Sequence, residues 1–443
     1  MDDGFDMVVA GGAAVTPGGT VRADIGVSAG RIAAIGDLGN AKAAERIDAQ
    51  GLHVMPGAID TQVHFREPGA EHKEDFNTGT AAAVLGGVTC VFEMPNTKPP
   101  TLTQAALEDK LKRAQGRMWC DHAFFVGASP DNVDALGDLE MLPGCCGVKV
   151  FMGSSTGGLL VEDDATLEKI LSGGFRRVAV HAEDEPRLKE RRHIAEAAKH
   201  PRAHPEWRDA ESAILATRRL LDLAQKTHRR VHVLHVTTAE EMELLGRHKD
   251  IATVEVTPQH LTLVAPDCYE RLGAKAQMNP PIRDERHRLG LWRAVAEGVV
   301  DVVGSDHAPH TVEEKALEYP KSPSGMPGVQ TLLPLLLDHA AQGRLSLERV
   351  ADLTAHGPQR VYGIANKGRI AVGYDADLAL VDLKAKREIT DADSASRSGW
   401  TPFNGMKVTG WPMITILRGH VAMRDGELIN DPLGQPARFL ETL

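Results

Sequence analysis

Between Met55 and Ile364 short apolar runs alternate with helix-patterned stretches, and this rhythm constrains the fold more than any other feature. The runs at Val88–Glu93, Ala123–Gly127, Gly147–Phe151, Arg177–His181, Val231–His235, Thr253–Val256 and Val300–Asp306 are mostly apolar from end to end. Strands of that kind are covered on both faces, as parallel strands flanked by helices are, rather than wet on one side. Stretches such as Asp209–Gln225 and Arg286–Val299 carry helical spacing between them. With close to eight such units, the sequence predicts an α/β fold, a (β/α)8 barrel of TIM type rather than an open sheet.

The two chain ends have another texture. Met7–Ala10 and Asp24–Gly36, the latter with a hairpin-like Ala29-Gly30 turn, read as short strands. The same texture returns at Asp377–Asp382 and Ile414–Ala422, after turns at Gly368, Gly373 and Asp375. A β-rich composite domain from residues 1–55 and 366–443 is therefore expected beside a barrel over 56–365. A chain of 443 residues accommodates a barrel of about 250 residues or more plus such a module.

Composition excludes several classes of function. A net charge of −11 disfavours nucleic acid or an anionic membrane as partner. No apolar run approaches the roughly 18 residues that span a bilayer. The acidic start, Met1-Asp-Asp-Gly-Phe-Asp6, lacks a signal core, so a cytoplasmic protein is expected. Cys90, Cys120, Cys145, Cys146 and Cys268 form no CxxC framework; reduced thiols are expected, with Cys145-Cys146 acting as small buried residues.

The chemistry sits at the strand ends. Lys149, His181, His235 and Asp306 each fall within or at the end of a different expected strand, and in a barrel the C-terminal strand ends share one face. Taken singly, His64 is by default a buried core histidine, His181 is as readily core as ligand, and Asp306 by default is solvated or caps a turn. The Pro56-Gly-Ala-Ile-Asp60 lead-in with Arg66 following favours a ligand at His64, and a strand end before two histidines favours a ligand or general base at Asp306. His235 is the expected ligand of its strand, because His232 faces the other side. Lys149 lies inside Val148-Lys-Val-Phe-Met152, where a buried ammonium is costly. It either snorkels at an edge or carries a carboxylated Nζ, which removes the charge and supplies an oxygen ligand. Nitrogen and oxygen donors without thiolate suit a catalytic Zn2+ with an open position.

Seven segments in order resemble the amidohydrolase superfamily, and within it the dihydroorotases: His64-Phe-Arg-Glu-Pro-Gly69, Glu93-Met-Pro-Asn-Thr97, Lys149-Val-Phe-Met152, His181-Ala-Glu-Asp184, Met278-Asn-Pro-Pro-Ile-Arg283, Asp306-His-Ala-Pro-His310 and Gly325-Met-Pro-Gly-Val-Gln330. Hydantoinases and allantoinases share the ligands; the Arg-Glu-Pro-Gly and Asp-His-Ala-Pro-His segments are closer to dihydroorotases. The resemblance implies zinc, one or two ions, held by His64 and Asp306 on one side and His181 and His235 on the other, with carboxylated Lys149 bridging. It implies that Arg66, Asn96 and His310 bind a substrate carboxylate, that Asn279 stands in the pocket and that the Gly325–Gln330 loop lines it. The implied reaction is reversible hydrolysis of dihydroorotate to N-carbamoyl-L-aspartate in pyrimidine synthesis, with Asp306 shuttling a proton from the attacking water to the leaving nitrogen.

One residue departs from the pattern. Two histidines spaced i, i+2 on a strand face the same way and grip one ion, yet this chain has Gln62 before His64. A Gln carbonyl is a weaker donor than imidazole, so the His64–Asp306 position is the one in question. Two other readings follow: an inactive dihydroorotase-like subunit that partners aspartate carbamoyltransferase, or a hydantoinase- or allantoinase-type cyclic amidohydrolase. A homo-oligomer acting on a small-molecule substrate is expected, and the Asp306–Ser322 loop is placed to close over that substrate.

Overall fold

The computed structural model describes residues 4–154 and 159–442. Among these, eight strands follow one another in chain order around a barrel: Ala58–Val63, Val88–Glu93, Asp121–Gly127, Cys145–Phe151, Val178–His181, Val231–Val233, Ala252–Val256 and Val302–Val303. Each pairs in parallel with the next. The seam between the eighth and first strands is closed just beyond them, where Val63 bridges His307 and the His64 N–H donates to the His307 carbonyl at 2.7 Å.

The outer helices begin where the sequence places short polar caps. Asp75, Asp163, Asp209, Thr238 and Asp284 each accept a backbone N–H from the first turn of the helix that follows. Each such cap is worth about 1 kcal/mol and fixes where the loop ends. The helices then bury Leu, Val and Ala against the strands' outer faces; Leu220, Leu221 and Ala224 of Ala210–Thr227 are examples.

Two barrel strands are shorter than their apolar runs suggest. The run to His235 pairs only as far as Val233, and the run Val300–Asp306 pairs only at Val302–Val303. In both, the chain leaves the ladder to reach a residue with left-handed backbone: φ is 37° at His235 and 45° at Asp306. Ladder continuity is given up where a side chain is turned toward the barrel mouth.

The chain ends build the β-rich module. One sheet runs Arg31–Gly36, Asp24–Ser28, Phe5–Ala10, Ala43–Asp48, and the Ala29-Gly30 turn joins its first hairpin. The other mixes both ends of the chain: His53–Pro56 pairs antiparallel with Leu378–Glu388 and parallel with Ala13–Thr16. Ile414–Ala422 is not one run. It is split between Lys407–Leu417 and His420–Arg424 by a turn at Arg418-Gly419, both at positive φ. Met7, Val9, Ile25, Ile47, Leu378 and Ile416 form this module's own core.

Near the C-terminus the chain leaves the module and seals the barrel floor. Phe439 packs on Phe92, which also meets Phe125 and Tyr362 edge-on. At the same end Lys367, almost fully buried, bonds Asp377 at 2.7 Å and Asp375 at 3.1 Å and also pairs with Asp121, the first residue of the third barrel strand. Arg418 pairs with Asp121 from the module side. No helix among the described residues is long and apolar enough to cross a membrane.

Candidate active site and metal centre

The C-terminal strand ends surround a pocket of about 340 Å3 lined by Gln62, His64, Arg66, Asn96, Phe151, His181, His235, Asn279, Asp306, Ala308, Ser324 and Gly325. These residues come from the ends of, or the loops after, seven of the eight barrel strands, with the third strand alone contributing none. Lys149 lies beneath, two residues before Phe151 and on the same face of its strand. The structure thus brings together Gln62 and nearly every residue named from the sequence. The exception is His310, which is fully buried behind Arg66 and off the pocket wall.

Two pairs of donors face one another. His181 Nδ1 and His235 Nε2 are 3.1 Å apart, and His64 Nε2 stands 3.2 Å from Asp306 Oδ1. Their outer nitrogens are committed: His181 Nε2 lies 2.9 Å from Glu183 Oε2, and His64 Nδ1 lies 2.7 Å from Asn96 Oδ1. Because a carboxylate oxygen only accepts, His181 Nε2 carries the hydrogen and its inner Nδ1 keeps a lone pair, whereas His64 has an acceptor oxygen on each side, Asn96 Oδ1 and Asp306 Oδ1. Burial drives all three rings toward the neutral form, His235 furthest. Burial alone would push Glu183 up. The Arg208 guanidinium and His181 outweigh it and hold the carboxyl well below its usual range, so an anion orients the His181 ring.

The residues fit a zinc ion. Two imidazole nitrogens on one tetrahedral zinc stand about 3.3 Å apart at ordinary bond lengths, close to the His181–His235 spacing. Lys149 Nζ, His235 Nδ1 and Gln62 Oε1 are buried without a hydrogen-bond partner. An ammonium that is 1 % exposed, with the Phe151 ring 4.5 Å away but no hydrogen bond, is costly. Burial accordingly lowers the Lys149 pKa to about 7, which favours the free amine, the form able to react with CO2. No thiolate contributes to the pocket; the five cysteines are buried and unpaired.

Gln62 is held by only one half of its amide. Its Nε2 donates to Asp306 Oδ1 at 3.0 Å. Its Oε1, the atom of an amide that can ligate a metal, is buried without a hydrogen-bond partner.

The Arg66 side of the pocket is held just as firmly. Arg66 has φ 63°, and its Nε donates to the Pro309 carbonyl at 3.2 Å, which aims the guanidinium. The next residue, Glu67, is gripped by Arg117 at 2.6 and 3.0 Å. Gly69 has φ 101°, and a Cβ there would lie 2.2 Å from the Lys98 carbonyl, so the Arg-Glu-Pro-Gly turn admits no side chain. His310 props this arrangement: Lys73 donates to its Nδ1 at 3.1 Å, so Nε2–H donates to the Ser324 carbonyl at 3.0 Å. A wider cleft outside, with Lys73 and Lys98 on its walls, shares Arg66 and Asn96 with the pocket and gives the mouth a local positive charge.

The segment after Asp306 is pinned in place. Lys315 Nζ donates to the carbonyls of Gln277, Pro323 and Gly325 at 3.2, 2.8 and 2.9 Å, and Gln277 Nε2 donates to Ser322 O and Ser324 Oγ. Sequence reasoning did not single out Glu183 or Lys315. Glu183 carried a usable signal, since it follows His181 by two residues at a strand end; Lys315 carried none.

Residues 53–422 match the amidohydrolase family. The dihydroorotase of Methanothermobacter thermautotrophicus is 36 % identical over 92 % of this chain and 92 % of its own. The allantoinase of Deinococcus radiodurans is also 36 % identical, over 98 % of this chain and 99 % of its own. Among solved structures, the L-hydantoinase (dihydropyrimidinase) of Arthrobacter aurescens superposes with a TM-score of 0.93 at 32 % identity, covering 98 % of this chain and all of that one. With its barrel, its ring of strand-end donors and a match over most of its length, the chain belongs to the amidohydrolase family.

Proposed function

We propose that the protein is a zinc-dependent cyclic amidohydrolase whose substrate is dihydroorotate, which it interconverts with N-carbamoyl-L-aspartate in pyrimidine synthesis. The observation that carries the substrate is Arg66: a buried, oriented guanidinium on the pocket wall, beside Asn96. A neutral ring would leave that cation unpaired, whereas a ring carboxylate satisfies its fork. The L-hydantoinase likeness supports the second reading, a ring without a carboxylate, and the same residue separates the two.

In this reading His181, His235 and Lys149, carboxylated on Nζ, hold zinc, with His64 and Asp306 as the second position. Zinc bound there supplies a polarising charge for the amide carbonyl and an activated water. Asp306 Oδ accepts the proton of the attacking water and delivers it to the ring nitrogen as the C–N bond breaks; ring closure reverses the path. Arg66 and Asn96 fix the carboxylate and so set which ring carbonyl faces the centre. Phe151 and the pinned Ser324-Gly325 segment narrow the pocket against bulk water.

Protein reconstituted with zinc and bicarbonate is expected to hydrolyse dihydroorotate in an ultraviolet assay. The Arg66→Ala variant should lose about a hundredfold in kcat/KM on dihydroorotate and change little on hydantoin. Equal losses on both rings, or none, would remove dihydroorotate as the substrate. Gln62→His provides a separate check on the centre. With an amide donor facing Asp306, the wild-type chain is expected to hold close to one zinc, and the variant closer to two, by elemental analysis. Identical metal content would show that Gln62 does not limit the second position.

A further inference from the structure

His204 lies outside every motif above, yet it is fully buried where the loops after the fifth, seventh and eighth barrel strands meet. Its Nε2 stands 2.9 Å from Asn279 Oδ1 and 3.1 Å from the Met278 carbonyl, and its Nδ1 stands 3.3 Å from the Tyr319 hydroxyl. Tyr319 and Trp207 pack edge-on against the ring, at 5.9 and 5.7 Å between centroids.

These contacts determine which atom holds the proton. The Met278 oxygen is a backbone acceptor and cannot be turned, so Nε2 must carry hydrogen. Burial, helped by Arg208, lowers the pKa of His204 to about 3, so the ring is neutral and Nδ1 is left as the acceptor for Tyr319 O–H. The tautomer in turn settles the amide of Asn279: the atom facing Nε2–H is its oxygen. Its other edge, the Nδ2 hydrogens, is the one left for the pocket that Asn279 lines.

We propose that His204, seated by Tyr319, is a positioning residue that makes Asn279 an obligate hydrogen-bond donor and thereby selects rings presenting an acceptor oxygen to that wall. The inference deepens the cyclic amidohydrolase reading and rests on it for the identity of the ligand. A free asparagine amide can rotate to accept or donate; one held by a histidine of fixed tautomer cannot. A ring with an N–H at that position meets two like donors and is rejected, while a ring carbonyl or carboxylate is retained. This supplies selectivity distinct from the charge of Arg66.

The test uses full-length protein and three variants. His204→Phe should lower kcat/KM at least about tenfold, chiefly through KM, on whichever of dihydroorotate, hydantoin or allantoin the wild type turns over. His204→Gln, whose amide nitrogen occupies nearly the same place as Nε2, should recover most of the loss. In a double-mutant cycle, His204→Phe should cost nothing further once Asn279→Ala is present. Additive losses, or a His204→Gln variant as poor as His204→Phe, would assign the ring a merely structural role. Nitrogen-15 spectra of histidine-labelled wild-type protein give a readout independent of any substrate and of how the variants fold. His204 should show a protonated Nε2 and a bare Nδ1, unchanged from pH 5 to 8. A protonated Nδ1 or a titration in that range overturns the inference. A wild type inert toward all three rings would count against the proposed function, and the spectra would still decide this one.

Discussion

Replacing Asp306 by Asn is expected to lower kcat by about a thousandfold or more while leaving the fold in place. The magnitude follows from removing a proton acceptor, worth about 10²–10⁴-fold, together with the negative charge that faces His64 Nε2 at 3.2 Å. The choice of Asn rests on backbone geometry. Asp306 sits at φ 45°, a left-handed conformation that Asn tolerates and that alanine or a branched residue occupies only with strain. Gln62 can reverse its amide to bond the new side chain, so no buried donor is stranded. Steady-state kinetics beside a thermal midpoint check both halves of the expectation. A variant keeping a tenth of wild-type kcat would remove Asp306 from the proton path.

The second large effect lies at the opposite end of the barrel. Lys367→Met keeps the methylene stem but leaves Asp121, Asp375 and Asp377 with Arg418 as their main cation. Burial would lower the lysine's pKa, but Asp377, Asp121 and Asp375 outweigh it and hold it well above its ordinary value. Removing one member of a buried ionic group destabilises by about 3–5 kcal/mol. The orphaned carboxylates take up protons in the folded state, raising their folded pKa above the unfolded value. The folded variant then binds more protons than the unfolded chain, so its stability falls as pH rises. The deficit relative to wild type should therefore be larger at pH 8 than at pH 5. Urea unfolding at both pH values measures it, and a pH-independent loss below 1 kcal/mol would show that the lysine is not what neutralises this cluster. The active site lies at the far strand ends, so kcat of the folded fraction should be unchanged.

The barrel was legible because both-sided burial leaves a continuous apolar signature. The second strand, Val88–Glu93, matches its run residue for residue, and the third to fifth and the seventh differ by at most two residues at an end. The signature misleads where function interrupts it. The sixth and eighth runs extend beyond the point of pairing, because His235 and Asp306 are swung out of the ladder into left-handed backbone. The gathering of Lys149, His181, His235 and Asp306 at one end could be read because their spacing in sequence mirrors the repeat of the barrel. Asn279 could be read from its motif, but the atoms that orient it could not. Met278 and Tyr319 belong to two loops far in sequence from that of His204, and only tertiary packing joins them. The Phe439 plug is invisible for the same reason: one aromatic near a chain end carries no periodicity.

The closing seam has a consequence for how this protein comes into being. Each barrel strand pairs with its predecessor after a modest excursion of chain, except the last pair. Gln62 and Asp306, bonded across the seam, are 244 residues apart in sequence. Contacts of such separation carry a large loop-closure cost and are late rewards in folding. His64 and Asp306 cannot face one another until the eighth strand has found the first. A nascent or truncated chain lacking that strand can set His181 against His235 but lacks the His64–Asp306 pair, so turnover is expected only when the ring of strands is complete.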